Sequence, residues 1–375
     1  QKYLVSPFSL AMSYVNYFSA NYREGRKAFL SAADKAKASI KTYSAGSSGP
    51  DNEPVYTDVA LLGRKDAPHV FLCNSATHGV EGFCGSGIFT GCLSSGLVTR
   101  LPDNVRLVLI HALNCHGFAW LRRVTEENVD LNRNFVDHSK PHPKNREYSK
   151  LHSTVLPKYW DQQTIAQSTE KLERYATKHS LYKLQTVLSG GQYDHPDGIF
   201  FGGREPTAAN RRFMEIVEQH VVGAKHVLFL DWHTGLGPYG NGELLGITRP
   251  GSAHGDRVNK WFSNGLETPS EGQSLSAPLT GTIGSGLRRR LSETDTDVTS
   301  LTVEFGTYSV REVLMPLIAD NWLHARGNPD SEVGRRIKTE IRKALYPDEN
   351  DWKELVWVRG RQIIERGIKG LSTLD

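Results

Sequence analysis

Residues 69–82 read HVFLCNSATHGVEG: an apolar run from Val70 to Cys73, then Asn74, and four positions later His78-Gly79-Val80-Glu81. The run has the length of a buried strand, and the stretch from Gly82 to Ser95 reads as a helix. His78 and Glu81 therefore fall where a strand hands over to a helix. Two ligand-type side chains three residues apart can converge on one ion, although a His and a Glu at that spacing on a surface helix are also common.

The same alternation extends outward. Val55–Leu62 and Val105–His111 read as strands, Glu205–His220 as a helix, and Val227–Asp231 and Ser300–Glu304 as further strands. Helices are expected near Ser309–Ala325 and Glu332–Leu345, and an amphipathic surface helix over Trp352–Leu371. This pattern predicts an α/β fold with a mixed, mainly parallel central sheet flanked by helices on both faces. Ligands in such sheets sit at the carboxyl ends of the strands. Upstream, Pro7–Lys41 reads as helical, with Phe8, Met12, Val15 and Phe18 at helical spacing, and Ser44–Glu53 (SAGSSGPDNE) reads as a loop. Residues 1–50 are accordingly expected to form a helical lead-in, and residues 51–375 the main domain.

The chain has 375 residues, 38% hydrophobic and 23% charged, with a formal charge of +4. That is enough to bury a substantial core. The basic residues are scattered except for Arg288-Arg289-Arg290, read as a solvated surface turn, so no nucleic-acid partner is expected. No apolar run reaches the roughly 18 residues of a membrane span, and no signal-peptide pattern opens the sequence, so the cytoplasm is the default compartment. Cys73, Cys84, Cys92 and Cys115 form no C-x-x-C pair and read as free thiols.

A second histidine, His233, follows the apolar run Val227–Leu230. Two histidines and one carboxylate fill three positions of a tetrahedral zinc ion and leave the fourth open, as catalysis requires. Glu304 closes the strand Leu301-Thr302-Val303-Glu304. A carboxylate there is either a salt-bridged strand end or a general base beside a metal. Asp231 reads equally well as a partner that orients a histidine ligand or as a strand-end cap.

Taken together, His78-x-x-Glu81, the string Asp130-Leu131-Asn132-Arg133-Asn134-Phe135, His233 and Thr302-x-Glu304 resemble the zinc carboxypeptidase family, relatives of carboxypeptidase A and aspartoacylase. The strings 74–82 (NSATHGVEG) and 192–198 (QYDHPDG) look like a bacterial branch of that family with poorly defined substrates. The resemblance implies one zinc ion on His78, Glu81 and His233, with Glu304 shuttling protons. It further implies that Asn132 and Arg133 anchor a substrate carboxylate and that Arg123, beside Arg122, polarises the scissile carbonyl. The substrate is then a peptide or an N-acyl amino acid. Tyr239 and Tyr308 are the candidates for a substrate-closing tyrosine, and the loop Gln192–Gly203 is either a pocket wall or a plain structural loop.

Rival readings are weaker. Gly85-Ser86-Gly87 opens a helix after a strand, but Gly91 falls one residue late for G-x-G-x-x-G, and Gly281–Gly286 lacks the lysine of a phosphate loop. No G-x-S-x-G elbow occurs. A non-catalytic, metal-free binding protein is the remaining alternative of another class.

Overall fold

A computed structural model describes residues 14–246, 252–263, 266–267 and 279–375. Phe8 and Met12, part of the expected N-terminal helix, lie outside the described residues.

The strands are β1 (Ser39–Ser48), β2 (Pro54–Leu62), β3 (His69–Ser75), β4 (Val105–His111), β5 (His226–Tyr239), β6 (Gly242–Gly246), β7 (Leu266–Glu267) and β8 (Asp297–Gly306). Among the described residues they form one sheet of order β1-β2-β4-β3-β5-β8-β6-β7. The centre, β4-β3-β5-β8, is parallel, while β1 with β2, β2 with β4 and β6 with β8 pair antiparallel. The expected α/β class with a mixed, mainly parallel sheet therefore holds. β3 and β4 are buried along their whole length, as strands covered on both faces must be.

One face packs against helices α1 (Tyr22–Lys35), α2 (Gly82–Ser94) and α12 (Asn350–Ser372), through Phe29, Phe89, Trp352, Trp357 and Ile363. The other carries α7 (Ala208–His220) and α9 (Ile283–Leu291), through Phe213, Ile216, Ile283 and Leu287. A third apolar cluster covers the carboxyl ends of the central strands. It is built by α4 (Arg146–Val155), α5 (Gln162–His179), α6 (Leu181–Ser189), α10 (Val310–Arg326) and α11 (Glu332–Leu345).

Three local expectations need correction. Residues 39–48 form neither helix nor loop but the edge strand β1, paired with β2 from Ser39↔Leu61 to Ser48↔Pro54. An edge strand that buries no residue fully needs only a weak apolar alternation, here Ile40, Tyr43 and Ala45, so a Ser-rich sequence is compatible with it. The expected boundary at residue 50 thus falls between two paired strands. The final helix is not a surface element: Trp352, Val356, Trp357, Ile363 and Ile364 are buried in the main core. Arg288-Arg289-Arg290, expected as a solvated surface turn, lies in the last turn of the helix α9, with Arg288 half-buried. All four cysteines are free and buried, as expected. No described helix is long and apolar enough to cross a membrane.

Candidate metal centre

Three residues beyond β3, His78 caps a single 3-10 turn, Gly79–Glu81. Side chains three apart eclipse in that geometry. This turns the H-x-x-E spacing into convergence: His78 Nδ1 lies 3.0 Å from Glu81 Oε1. The turn is pinned by its backbone, since Gly79 and Val80 donate to the carbonyls of Arg123 and Arg122. Gly79 runs so close to the backbone of Gly117 and Phe118 that a β-carbon has no room.

The second histidine comes from β5, which continues past the expected end at Asp231 as far as Tyr239. Its register with β8 sets Asp231 opposite Thr302 and His233 opposite Glu304. His233 Nδ1 is 3.1 Å from His78 Nδ1 and 3.1 Å from Glu81 Oε2. One ligand atom from each of His78, Glu81 and His233 lies within 4.8 Å of the others, and all three residues are buried.

Behind each imidazole stands a carboxylate. His78 Nε2 lies 3.1 Å from Asp130 Oδ1, and His233 Nε2 lies 2.6 Å from Asp231 Oδ2. Asp231 is itself held through Oδ1 by Asn74 and Thr77. Burial opposes ionisation of Asp130, but Arg123, Arg133 and His78 outweigh it and hold the carboxyl well below its usual range. An ionised carboxylate only accepts, so each Nε2 carries a proton and each Nδ1 turns a lone pair inward. Lone pairs of two histidines and Glu81 thus meet at one point.

The charge balance agrees. Four carboxyl groups, those of Glu81, Asp130, Asp231 and Glu304, surround this point against two guanidinium groups, Arg123 and Arg133. Burial disfavours a charge on His233, yet Asp231 and Glu81 raise its pKa well above normal, so positive charge is favoured at this spot. Tetrahedral zinc with ligands at about 2.0–2.2 Å separates them by roughly 3.4 Å, within a few tenths of the spacings found. The residues present fit one divalent cation.

Glu304 accepts a hydrogen bond from Leu236 N at 3.1 Å. Burial, with the negative charge of Glu81 next, pushes its carboxyl up to about 7. The adjacent arginines separate clearly. Arg123 faces the centre, with Nη1 2.9 Å from Glu81 Oε1 and Nε 3.0 Å from Asp130 Oδ2, and its guanidinium lies over the Phe200 ring. Arg122 turns away to Asn128 and Asp320. Asn132 accepts from Ile283 N through Oδ1. Arg133 directs Nε and Nη2 to Ser189 O and Nη1 to Asn132 O.

These groups line a cavity of about 300 Å³ with His78, Glu81, Arg123, Asn132, Arg133, His233 and Glu304 all on its wall. Leucines of α6 and α10 form much of the apolar remainder. The loop Gln192–Gly203 does both jobs considered for it. Phe200 lines the cavity, while Phe201 O and Gly202 O receive Asp130 N and the Asn134 amide, and Tyr193 donates to Arg133 O. Tyr239 and Tyr308 are not on the wall among the described residues; Tyr239 donates to Asp351 instead. Asp130, which the 130–135 string contains without an evident role, is the acceptor behind His78 and Arg123; its signal in the sequence is an acidic residue two positions before Asn132. Arg288, expected in solvent, lines the cavity.

No curated protein sequence matches the chain. Among solved structures, carboxypeptidase A from Helicoverpa armigera is similar at 13% identity, over 88% of this chain and 74% of that one, with a TM-score of 0.44. A metallo-carboxypeptidase from Burkholderia cenocepacia is similar at 12% identity, over 93% of this chain and 68% of that one, with a TM-score of 0.43. An aspartoacylase family protein from Mesorhizobium loti is similar at 12% identity, over 77% and 67%, with a TM-score of 0.35. Residues 18–359 match the family described as "Protein of unknown function (DUF2817)", and the chain belongs to that family.

Proposed function

We propose that this chain is a zinc-dependent hydrolase that cleaves an amide bond in a substrate bearing a free carboxylate, either a peptide or an N-acyl amino acid. The observation that carries this reading is the meeting of the His78, His233 and Glu81 lone pairs, two of them backed by carboxylates, beside a glutamate with a raised pKa. Zinc held there supplies Lewis-acid polarisation of a carbonyl and acidification of water.

Glu304 takes the proton from the attacking water, whose oxygen bonds to the carbonyl carbon. As the C–N bond breaks, Glu304 returns that proton to the leaving nitrogen. A carboxyl that titrates at about 7 suits both directions of transfer. Arg123, anchored on Asp130 through Nε, stabilises the negative charge that develops on the carbonyl oxygen. Asn132 and Arg133 orient the substrate carboxylate. Three of the five Arg133 N–H groups serve backbone carbonyls, which fixes the guanidinium plane and leaves two for a ligand.

The test is a hydrolysis screen over short peptides and N-acyl amino acids, run with the zinc-loaded protein, with chelator, and with zinc restored. Zinc-dependent release of an amino acid is the expected result, and the better substrate set separates peptidase from deacylase. A protein that binds no zinc, or cleaves equally well in chelator, refutes the proposal.

A further inference from the structure

Glu304, Thr302 and Ser300 are alternate residues of β8 and share one face of the sheet, as do His233, Asp231 and Phe229 on the neighbouring β5. All six line the cavity, which therefore extends along the sheet away from the metal centre. Ser300 lies four residue steps along the strand from Glu304, a distance of about 13 Å. At that far end Arg288 enters from α9.

The three arginines of the α9 triplet differ in what they meet. Arg289 donates to Phe135 O and Arg290 pairs with Glu218. Arg288, half-buried, has no ion pair or hydrogen bond among the described residues. Burial alone lowers its pKa, with no carboxylate offsetting it. Its position is tied to the cavity wall, since Nη1 lies 3.9 Å from the point a Gly284 β-carbon would occupy, a point Ser300 Oγ already crowds. The hydroxyls of Ser300 and Thr302 likewise lack a hydrogen-bond partner among the described residues. Arg123 and Arg133, the other arginines on the wall, are both engaged with protein acceptors.

A guanidinium half withdrawn from water without a counter-charge keeps donors to spare, and hydroxyls beside it add to the unmet capacity. We propose that Arg288, with Ser300 and Thr302, receives a carboxylate side chain on the substrate's leaving amine, so that the preferred substrate is an amide of an acidic amino acid. This rests on the hydrolase reading. The amino acid's own carboxylate goes to Asn132 and Arg133, and its second carboxylate reaches Arg288. The arrangement demands two anionic groups on the same fragment, which a neutral leaving residue does not offer.

The experiment uses the zinc-loaded full chain. Calorimetric binding of N-acetylglutamate and N-acetylaspartate is compared with that of the neutral isosteres N-acetylglutamine and N-acetylasparagine, on an E304Q background that suppresses cleavage. Both members of each pair carry the same α-carboxylate, so any difference reports the side-chain charge. Acidic ligands are expected to bind about 10- to 100-fold more tightly. Arg288→Met should abolish that ratio, and Arg288→Lys, which keeps the charge and serves as the folding control, should retain part of it. Equal binding of acidic and neutral ligands, or an Arg288→Met variant that keeps the wild-type ratio, overturns the proposal. Turnover of the same compounds by the chain with Glu304 intact separates the two ideas. A binding preference without zinc-dependent cleavage removes the hydrolase reading and leaves the anion pocket standing; zinc-dependent cleavage with equal kcat/KM for acidic and neutral amides does the reverse.

Discussion

Strands β5 and β8 carry a cluster of histidines and carboxylates at each end, and the two clusters are opposites. At the carboxyl end His233 sits opposite Glu304; at the amino end His226 sits opposite Asp297. Around Asp297 every neighbour is a donor: His226 at 3.2 Å, His254 at 2.6 Å and Arg257 at 2.6 Å all aim at one carboxylate. That knot is complete in itself. At the other end the outer carboxylates have already claimed both histidine protons, so the inner atoms are all acceptors. Residue types barely distinguish the two sites. The direction in which protons point does, and only the acceptor-lined end calls for a cation.

Removing a ligand from the acceptor-lined end breaks this contrast most severely. His233→Ala should lose stoichiometric zinc, measured by elemental analysis, together with all amide turnover, whereas His254→Ala should keep both. Retention of zinc by the first variant, or its loss in the second, would mean the wrong cluster has been identified.

Glu304→Gln separates binding from chemistry within the same end. Zinc content should be unchanged while kcat falls on the order of 10²- to 10⁴-fold. Near-normal turnover removes Glu304 from proton transfer.

The outer carboxylates give a smaller effect. Asp231→Asn leaves the histidine in place but withdraws the acceptor that fixes its proton, and zinc affinity should drop roughly 10- to 100-fold in a competition titration with a chelating dye. An unchanged affinity would reduce Asp231 to the strand-end cap.

At the donor-lined end the expectation is stability alone. Burial raises the Asp297 carboxyl, but Arg257 and His254 outweigh it and the pKa is lowered. A depressed carboxylate contributes stability above its unfolded value and loses it as pH falls through the folded one. Asp297→Asn should therefore cost on the order of 1 kcal/mol at neutral pH, discounted for its partial exposure, and roughly 2 °C in Tm. The gap from wild type should close below about pH 4. A gap that persists unchanged in acid would show that packing, not charge, holds this corner.

The legible parts of the molecule were those where one local pattern decided the outcome. The segments 69–74, 105–111 and 300–304, short and bounded as strands are, do form strands, and the residues just beyond the first lie at the sheet's carboxyl edge. What escaped was set by neighbours remote in sequence. Strand β1 exists because β2 offers it a free edge, and α12 is buried because it completes, beside α1 and α2, the cover over one sheet face. No element was assigned from the sequence to Arg146–Ser189, whose three helices pack over the carboxyl ends of the strands, the last of them lining the cavity. Their polar composition masks narrow apolar stripes such as Tyr148, Leu151 and Val155.

Which side chains reach the sheet's carboxyl edge is written locally in the chain, because strand periodicity and a three-residue turn are local properties. Which nitrogen of each imidazole faces inward, which of two adjacent arginines does, and that Arg288 lines the cavity are matters of the folded arrangement. Those outcomes depend on where Asp130, Asp320 and Ser300 stand in space. Proton direction and charge compensation are set between segments that meet only when the chain is folded.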